Sequence, residues 1–318
     1  MRVAFVRALT DVAAQDERVV ILAGDIGYKL FDDFIERFPG RHLNVGASEA
    51  NMASVAAGMA SAGFRPFIYT IAPFVTVRCL EQIRVDICYH KQPVVVVGVG
   101  AGYTYGSLGA THHAMEDIGT LRALPSMKVV CPGDPYEVEG AVWEIVRQDA
   151  PVYLRLGKQG EPTVHESIPD MTLGKGIVFQ DGDDVTLIST GNMLPNAAEA
   201  AKRLDDAGVS TRLISMHTVK PLDEALILDS ARRTDALFTI EEHSKIGGLG
   251  GAVAELLAES DVHPRFKRLA ADDEFIHEMG EQHHLRKLMG LDVDGIVNTV
   301  TRGLNEWRRA PAASRTGS

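Results

Sequence analysis

The chain has 318 residues, of which 45% are hydrophobic, three cysteines and a formal net charge of -11. This length suggests two domains and allows a sizeable core. The acidic balance argues against a nucleic-acid partner, and no apolar run is long enough to span a membrane. The first residues form a helical pattern without the layout of a signal peptide, so we expect a cytoplasmic location. The thiols of Cys79, Cys88 and Cys131 lie in apolar segments without metal-ligand spacing and are predicted to be buried and free.

Strand and helix patterns alternate in the first half of the chain. Residues 18–25 predict a buried strand, and residues 93–99 predict a central strand because their side chains are almost all β-branched. Between these strands, residues 48–62 and 75–89 predict helices. The alternation indicates an α/β fold with a mostly parallel sheet and helices on both faces, in a first domain of residues 1–156.

A second unit of the same kind follows. Residues 157–176 are polar and contain several prolines and glycines, which indicates an interdomain linker. Strand patterns at residues 185–191 and 236–241 alternate with helical ones, so a second mostly parallel α/β domain is predicted for residues 177–308. Residues 309–318 are predicted to form a disordered tail.

Glu49 is the most informative residue of the first domain. It follows a short predicted strand and begins a helix made almost entirely of small residues. A carboxylate at the C-terminal end of a buried strand lies in the usual ligand crevice of an open α/β sheet. The alternative is an acid that only caps a helix at its favourable dipole end. Position alone does not decide between the two.

A long glycine-rich loop, residues 100–113, follows the central strand. A loop of this length inside a compact unit is usually functional. Its glycines permit close backbone approach, and His112 and His113 offer proton donors near neutral pH. The alternative is that both histidines are ordinary polar loop residues. A metal site is disfavoured because no third ligand has suitable spacing.

Two other features are expected to serve structure. The glycines of residues 247–251 lack the pattern of a phosphate-binding loop and indicate tight strand-to-helix packing. His217 lies where a predicted strand ends and a helix begins, with Pro221 in its first turn. We expect His217 to be structural or at an interface.

Several short motifs follow one another in a specific order: Gly24-Asp25, Glu49, Ala72-Pro73-Phe74, Glu81-Gln82-Ile83-Arg84, Gly109-Ala110-Thr111-His112, Leu124-Pro125-Ser126-Met127 and Pro132-Gly133-Asp134. This series resembles the C-terminal half of transketolases. It is also similar to deoxyxylulose-phosphate synthases and, more remotely, to the β chains of 2-oxo-acid dehydrogenases. The resemblance covers residues 1–305 and implies a pyrimidine-binding domain followed by a transketolase C-terminal domain.

The resemblance also implies a cofactor and a partner. Members of the family use thiamine diphosphate, and they bind its diphosphate and Mg²⁺ through a Gly-Asp-Gly segment and a later Asn that have no counterpart in this sequence. A partner chain, the N-terminal transketolase subunit, would therefore supply that domain and hold the metal. The implied assembly is an α2β2 heterotetramer in which the β chains meet through the small-residue helix and the helix that carries Glu81.

The family's site residues carry over by position. Glu49 corresponds to the acid that hydrogen-bonds N1′ of the aminopyrimidine ring, so that the exocyclic nitrogen can take the C2 proton of the thiazolium. Phe74 or its neighbour would stack on the ring, unless it is a plain core residue, and Arg78 is a further cofactor-binding candidate. His112 corresponds to a histidine near the reacting carbons, where it would donate to a substrate hydroxyl or stabilise a developing alkoxide. His113 is a second substrate-binding candidate.

The remaining substrate-binding candidates are Asp25, Arg2 and Lys158, of which the two cations would hold a sugar phosphate. Two positions depart from the family pattern. Leu108 replaces an Asp that contacts a sugar hydroxyl, and Gly100 replaces a histidine that helps bind the sugar phosphate. The resemblance thus implies transfer of a two-carbon ketol unit from a ketose to an aldehyde. The two departures argue against the usual pentose phosphates and leave open an unusual or unphosphorylated sugar, or another keto acid.

Two other functions stay open. The first is decarboxylation of a 2-oxo acid, as in the dehydrogenase β chains or deoxyxylulose-phosphate synthase. The second is a non-catalytic scaffold or regulatory subunit that kept the fold. The joint presence of Glu49, Phe74 and His112 argues against the scaffold.

Overall fold

The computed structural model describes residues 1–158 and 160–309. The first part of the chain contains, in order, α1 (Arg2–Gln15), β1 (Val19–Ala23), α2 (Asp32–Arg37), β2 (His42–Asn44), α3 (Glu49–Ser61), β3 (Arg65–Ile71), α4 (Ala72–Val75), α5 (Leu80–Gln82), a π-helix (Ile83–Tyr89), β4 (Val95–Val99), two 3₁₀ turns (Gly106–Leu108 and Ala110–His112), α6 (Asp117–Arg122), β5 (Lys128–Val130), α7 (Pro135–Ile145) and β6 (Val152–Leu156). The second part contains β7 (Ile177–Gln180), β8 (Val185–Ser189), a 3₁₀ turn (Gly191–Met193), α8 (Leu194–Asp206), β9 (Thr211–Ser215), β10 (Thr218–Lys220), α9 (Glu224–Arg233), β11 (Ala236–Ser244), α10 (Leu249–Ala258), β12 (Arg265–Ala271), α11 (Gln282–Leu288) and α12 (Val293–Arg309).

The strands form two mostly parallel sheets, which confirms the predicted fold class. The first sheet has seven strands in the order β10-β5-β6-β4-β3-β1-β2, and the second has five in the order β12-β11-β8-β9-β7. Among the described strands, only the edge strands β10 and β7 run antiparallel to their neighbours. Helices cover both faces of the first sheet, since α3 contacts one face and α1 and α7 contact the other.

The order of the first sheet reverses at the pair β1–β3. From β1 the chain moves outward to β2, and from β3 it moves to β4 on the opposite side. Such a switch point opens a crevice beyond the carboxyl ends of the two strands, where ligands bind in open α/β sheets. The helix α3 connects β2 to β3, and its first residue is Glu49.

The region after β3 differs from the prediction. Residues 75–89 were expected to form one helix, but the structure has the end of α4, a turn, α5 and the π-helix. The turn lets Val75 and Cys79 be buried while Val77 and Arg78 face outward. Helical periodicity did not indicate this change of pitch because apolar residues recur throughout the segment.

The strand β10 joins the two parts of the chain. It belongs by sequence to the second part but pairs with β5 in the first sheet. Pro221 therefore lies outside a helix, and α9 begins at Glu224 with Asp223 as its N-cap, which corrects the predicted helix start. His217 is fully buried beside this strand, as expected for a structural residue.

Other predictions concern the thiols and the chain end. Cys79, Cys88 and Cys131 are buried and free, as predicted. Within the described ranges, no helix is long and apolar enough to cross a membrane. The predicted disordered tail lies, apart from Arg309 at the end of α12, outside the described residues.

Candidate active site

Glu49 lies in the crevice at the switch point. Its side chain is nearly buried, with 4% of the residue exposed. A Cβ built on Gly24, directly after β1, would lie 3.2 Å from Thr70 Cβ on β3 and 3.5 Å from Glu49 Cγ. The missing side chain at Gly24 thus makes room for the carboxylate between the ends of β1 and β3. The strand order and this close approach place Glu49 at the carboxyl ends of β1 and β3, where ligands bind in open α/β sheets.

Arg78 contacts both Glu49 and Phe74. Arg78 Nη1 donates to Glu49 Oε2 at 2.8 Å, and the guanidinium carbon lies 4.4 Å from the centroid of the Phe74 ring. The Arg78 side chain is half exposed, so this ion pair lies at the edge of the crevice. Glu49 Oε1 accepts no hydrogen bond from the described residues and is available to a donor from a ligand.

His112 also lies beside the Phe74 ring. The two ring centroids are 5.2 Å apart with a tilt of 64°, and Thr111 Oγ1 lies 3.0 Å from His112 Nδ1. The Tyr105 ring lies 6.4 Å from His112. The structure therefore brings Glu49, Arg78, Phe74 and His112 together, although they come from α3, the segment after β3 and the loop after β4.

The two predicted cations adjoin this group. Lys158 Nζ lies 5.3 Å from the Tyr105 ring centroid, and Arg2 Nε donates to the Lys158 carbonyl at 3.3 Å. Burial raises the pKa of Tyr105, and the charge of Arg2 offsets part of this effect. Tyr105 was not among the sequence candidates, because nothing in the loop pattern distinguishes it from Tyr103.

His113 faces away from this group. Its side chain is buried, its ring lies 5.2 Å from the Tyr103 ring, and burial lowers its pKa. It lines a separate cavity of about 130 Å³ that includes Met115 and residues 271–276. Of the two adjacent histidines, the structure places only His112 beside Phe74.

Asp25 lies next to the crevice on a turn. Its backbone has a φ of 53°, and its carboxylate accepts from Asn44 Nδ2 at 3.1 Å. It lines a shallow cavity of about 220 Å³ with Tyr28, Lys29 and His42. Because this residue directly follows Gly24, it lies at the rim of the crevice that holds Glu49.

A buried polar network supports the loop of residues 100–113 and was missed by the sequence analysis. Arg155 on β6 donates to Asp117 Oδ2 at 2.7 Å, to the Ala114 carbonyl at 2.7 Å and to the Glu242 carbonyl at 3.0 Å. Burial opposes ionisation of Asp117, but the charge and hydrogen bonds of Arg155 outweigh it and hold the pKa of Asp117 below its usual range. No local pattern indicates such a pair, since its members lie on separate elements.

The residues around Glu49 fit the aminopyrimidine end of thiamine diphosphate. A free carboxylate oxygen beside an aromatic ring suits a flat heterocycle with a ring nitrogen, as an aminopyrimidine has. Among residues 1–158 and 160–309, no group of three or more His, Cys, Asp or Glu side chains is placed to hold a metal ion. The side chains of Glu49 and Phe74 therefore suit the aminopyrimidine end of the cofactor.

Comparison with known domain families gives two matches. Residues 1–162 match the transketolase pyrimidine binding domain, and residues 174–296 match the transketolase C-terminal domain. Together they account for most of the chain and leave out residues 163–173 and 297–318.

Known proteins agree with this assignment. The chain is 35% identical to an apulose-4-phosphate transketolase subunit of Phocaeicola vulgatus, over 94% of this chain and 96% of that one. It is 36% identical to a 6-deoxy-6-sulfo-D-fructose transketolase subunit of Clostridium sp. strain MSTE9, over 94% of this chain and 93% of that one. A solved structure described as a split gene transketolase, inactive β4 tetramer, superposes with a TM-score of 0.86 at 36% identity and covers 95% of this chain and 97% of that one.

Longer relatives match over part of their length. The 1-deoxy-D-xylulose-5-phosphate synthase 1 of Geobacter sulfurreducens is 35% identical over 96% of this chain but only 48% of its own length. The chain thus spans about half of such a protein and nearly all of the separately encoded subunits. On both domain matches and on these relatives, the chain belongs to the transketolase family of thiamine-diphosphate-dependent transferases, and it matches in extent the C-terminal subunit of a split transketolase.

Proposed function

We propose that the chain is the C-terminal subunit of a two-component transketolase that moves a two-carbon ketol unit from a ketose to an aldehyde. The observation that carries this proposal is the position of Glu49. Its free carboxylate oxygen lies at the switch point of the sheet, and Arg78 links it to the pair formed by Phe74 and His112. A scaffold protein has no need for an acid in the crevice whose second oxygen stays open to a ligand.

In this proposal each residue acts on a defined group. Bound thiamine diphosphate supplies the nucleophilic carbon and the electron sink. Glu49 Oε1 holds a proton against N1′ of the aminopyrimidine, and Phe74 fixes the plane of the ring. His112 donates to the oxygen on which negative charge develops, at the end of the site nearest Tyr105.

The diphosphate and Mg²⁺ belong, in the proposal, to an N-terminal partner subunit. This division is supported by the matches to the pyrimidine binding and C-terminal domains and by the relatives named as separate transketolase subunits. We further propose an α2β2 assembly with a β–β contact through α3 and through α5, which carries Glu81, and the π-helix that continues it. The exposed apolar side chains of Val55, Val85 and Tyr89 on these helices support that contact.

For the substrate we propose a sugar with an anionic group. Arg2 and Lys158 place two cations near Tyr105, which adjoins His112. Two relatives are named for sugars that carry a phosphate or a sulfo group, which fits such a cationic pair. Leu108 is 52% exposed in the same loop and offers an apolar contact where a sugar hydroxyl binds in transketolases.

A second candidate is synthesis of a deoxyketose phosphate with decarboxylation of pyruvate. It is favoured by the 35% identity to a 1-deoxy-D-xylulose-5-phosphate synthase. The β subunits of 2-oxo-acid dehydrogenases share the decarboxylation step and belong to the same alternative.

The two reactions are separated by an assay of the chain reconstituted with its partner subunit. Ketose phosphates and hydroxypyruvate are tested as ketol donors with an aldehyde acceptor, and pyruvate is tested as the only donor. The proposal expects product from the first two donors and none from pyruvate. Carbon dioxide released from pyruvate alone would overturn the transketolase function.

A further inference from the structure

The loop that carries His112 is closed at a narrow neck. Gly102 and Ala114 form an isolated antiparallel bridge, in which Ala114 N donates to the Gly102 carbonyl at 3.0 Å. His112 lies two residues before Ala114. A shift at the neck is therefore transmitted to the imidazole over a very short stretch of chain.

A carboxylate from the second part of the chain lies directly against this neck. Glu242 on β11 is 1% exposed. A Cβ built on Gly102 would lie 2.5 Å from Glu242 Cγ and 2.6 Å from Oε2. Because real Cβ atoms do not approach so closely, only glycine at position 102 lets the Glu242 side chain lie under the neck.

The Glu242 carboxylate is itself fixed by α11. Arg286 donates from Nε to Oε1 at 2.9 Å and from Nη2 to Oε2 at 3.0 Å. Gln282 Nε2 donates to Glu242 Oε2 at 2.8 Å and lies 3.1 Å from Thr104 Oγ1 inside the loop. A two-bond arginine–carboxylate pair holds both groups in one geometry, so Glu242 is a rigid support.

We propose that Glu242 is a positioning residue for His112, and that the second domain sets the geometry of the reaction centre through it. This inference rests on the role of His112 given under the proposed function. The neck gives β11 and α11 a short route to the imidazole, because Glu242 contacts Gly102 and Gly102 is bridged to Ala114. A displacement of about 1 Å at a reacting group lowers turnover by as much as 10²-fold.

The sharpest variant is Gly102→Ala, which removes neither partner of the Glu242–Arg286 pair and adds a methyl group where the Glu242 side chain lies. Gly208→Ala is the matched control, because Gly208 has a φ of 82° and nothing within 4 Å of a built Cβ. Both variants carry the backbone strain of alanine at positive φ, but only the first meets Glu242. We expect kcat of the reconstituted enzyme to fall at least tenfold for Gly102→Ala, with KM changed less than threefold, and to fall less than twofold for Gly208→Ala. Equal kcat for the two variants would overturn the inference.

Gln282→Ala tests the same link without leaving a buried charge unpaired. It is measured in the native background and in a His112→Ala background. If Gln282 acts through His112, its removal lowers kcat at least fivefold in the first background and less than twofold in the second. The same factor in both backgrounds would mean a general structural effect and would contradict the proposal.

Hydrogen exchange separates this inference from the proposed function. Amides of residues 103–113 are expected to exchange at least tenfold faster in Gln282→Ala, while those of β4 and β6 are unchanged. Unchanged exchange in the loop would refute the support by Glu242, whatever the activity. Faster exchange together with full activity of His112→Ala would instead refute the catalytic role of His112.

Discussion

Arg78 donates to Glu49 Oε2 at 2.8 Å and leaves Glu49 Oε1 without a hydrogen bond from the described residues. The same guanidinium lies 4.4 Å from the Phe74 ring centroid. One arginine thus orients the carboxylate and borders the aromatic surface that together are proposed to hold the aminopyrimidine. The arrangement leads to separate predictions for the acid and for its partner.

Glu49→Gln keeps the size of the side chain but removes the group that holds the proton at N1′. We expect kcat of the reconstituted enzyme to fall at least about a hundredfold, the usual effect of losing a positioned proton-transfer group. Steady-state kinetics at saturating cofactor measure this, and circular dichroism checks that the fold is intact. Unchanged turnover would favour the scaffold function.

Arg78→Ala removes the donor that orients Glu49. A hydrogen bond between charged groups contributes about 1.5–3 kcal/mol, and the half-exposed position reduces this to about 1 kcal/mol. We expect the apparent affinity for thiamine diphosphate to fall roughly fivefold, measured by cofactor titration of the assembled enzyme. Arg18→Ala, at an exposed ion pair with Asp16, is the control. Tighter binding by Arg78→Ala would show that Arg78 blocks the ring site.

His165, in the segment that follows β6, and Glu137, on α7, form a pH-dependent contact. His165 Nε2 lies 2.9 Å from Glu137 Oε1. Burial opposes protonation of His165. The hydrogen bond and charge of Glu137 outweigh this effect of burial and raise the pKa of His165. A raised pKa in the folded state adds stability below the pKa of the unfolded chain, and this stability is lost as pH rises through the folded pKa.

His165→Gln should therefore destabilise the protein more in acid than in base. We expect the loss in free energy of unfolding to be about 1–2 kcal/mol larger at roughly pH 6 than at roughly pH 9. Urea unfolding of both proteins at each pH measures the difference and cancels the contribution of other titrating groups. An equal loss at both values would contradict the pairing.

Asp117→Asn should cost far more than an average substitution. It leaves Arg155 charged and buried, and breaking a buried ion pair in this way costs about 3–5 kcal/mol. Urea unfolding provides the measurement. The double variant Asp117→Leu with Arg155→Met removes both charges and is expected to regain at least half of the loss. A single variant as stable as the native chain would disprove this role.

Local sequence was sufficient to locate Glu49. The end of a strand, a short polar stretch and a helix of small residues follow one another along the chain, and each leaves a recognisable pattern. The fold class followed for the same reason, since alternating strands and helices of suitable length form parallel sheets. Buried free thiols were also predictable from apolar neighbours alone.

The pitch of the helical segment after β3 and the pairing of β10 were not predictable from local sequence. The segment after β3 has apolar residues at nearly every helical spacing, so the sequence did not indicate the break before the π-helix. The three residues of β10 are too few for a periodic signal, and their partner β5 is distant in sequence. His112 and His113 are indistinguishable by pattern, yet the 3₁₀ turn places one ring beside Phe74 and the other beside Tyr103.

The sequence by itself therefore determined the α/β class, the family and the acid in the crevice, because these depend on local periodicity and on motifs in a fixed order. Only the tertiary structure decided which cation pairs with that acid, which histidine ring lies beside Phe74 and that Glu242 lies under the neck of the loop. These relationships depend on distances between elements far apart in the chain, and such distances are set by packing of the whole fold.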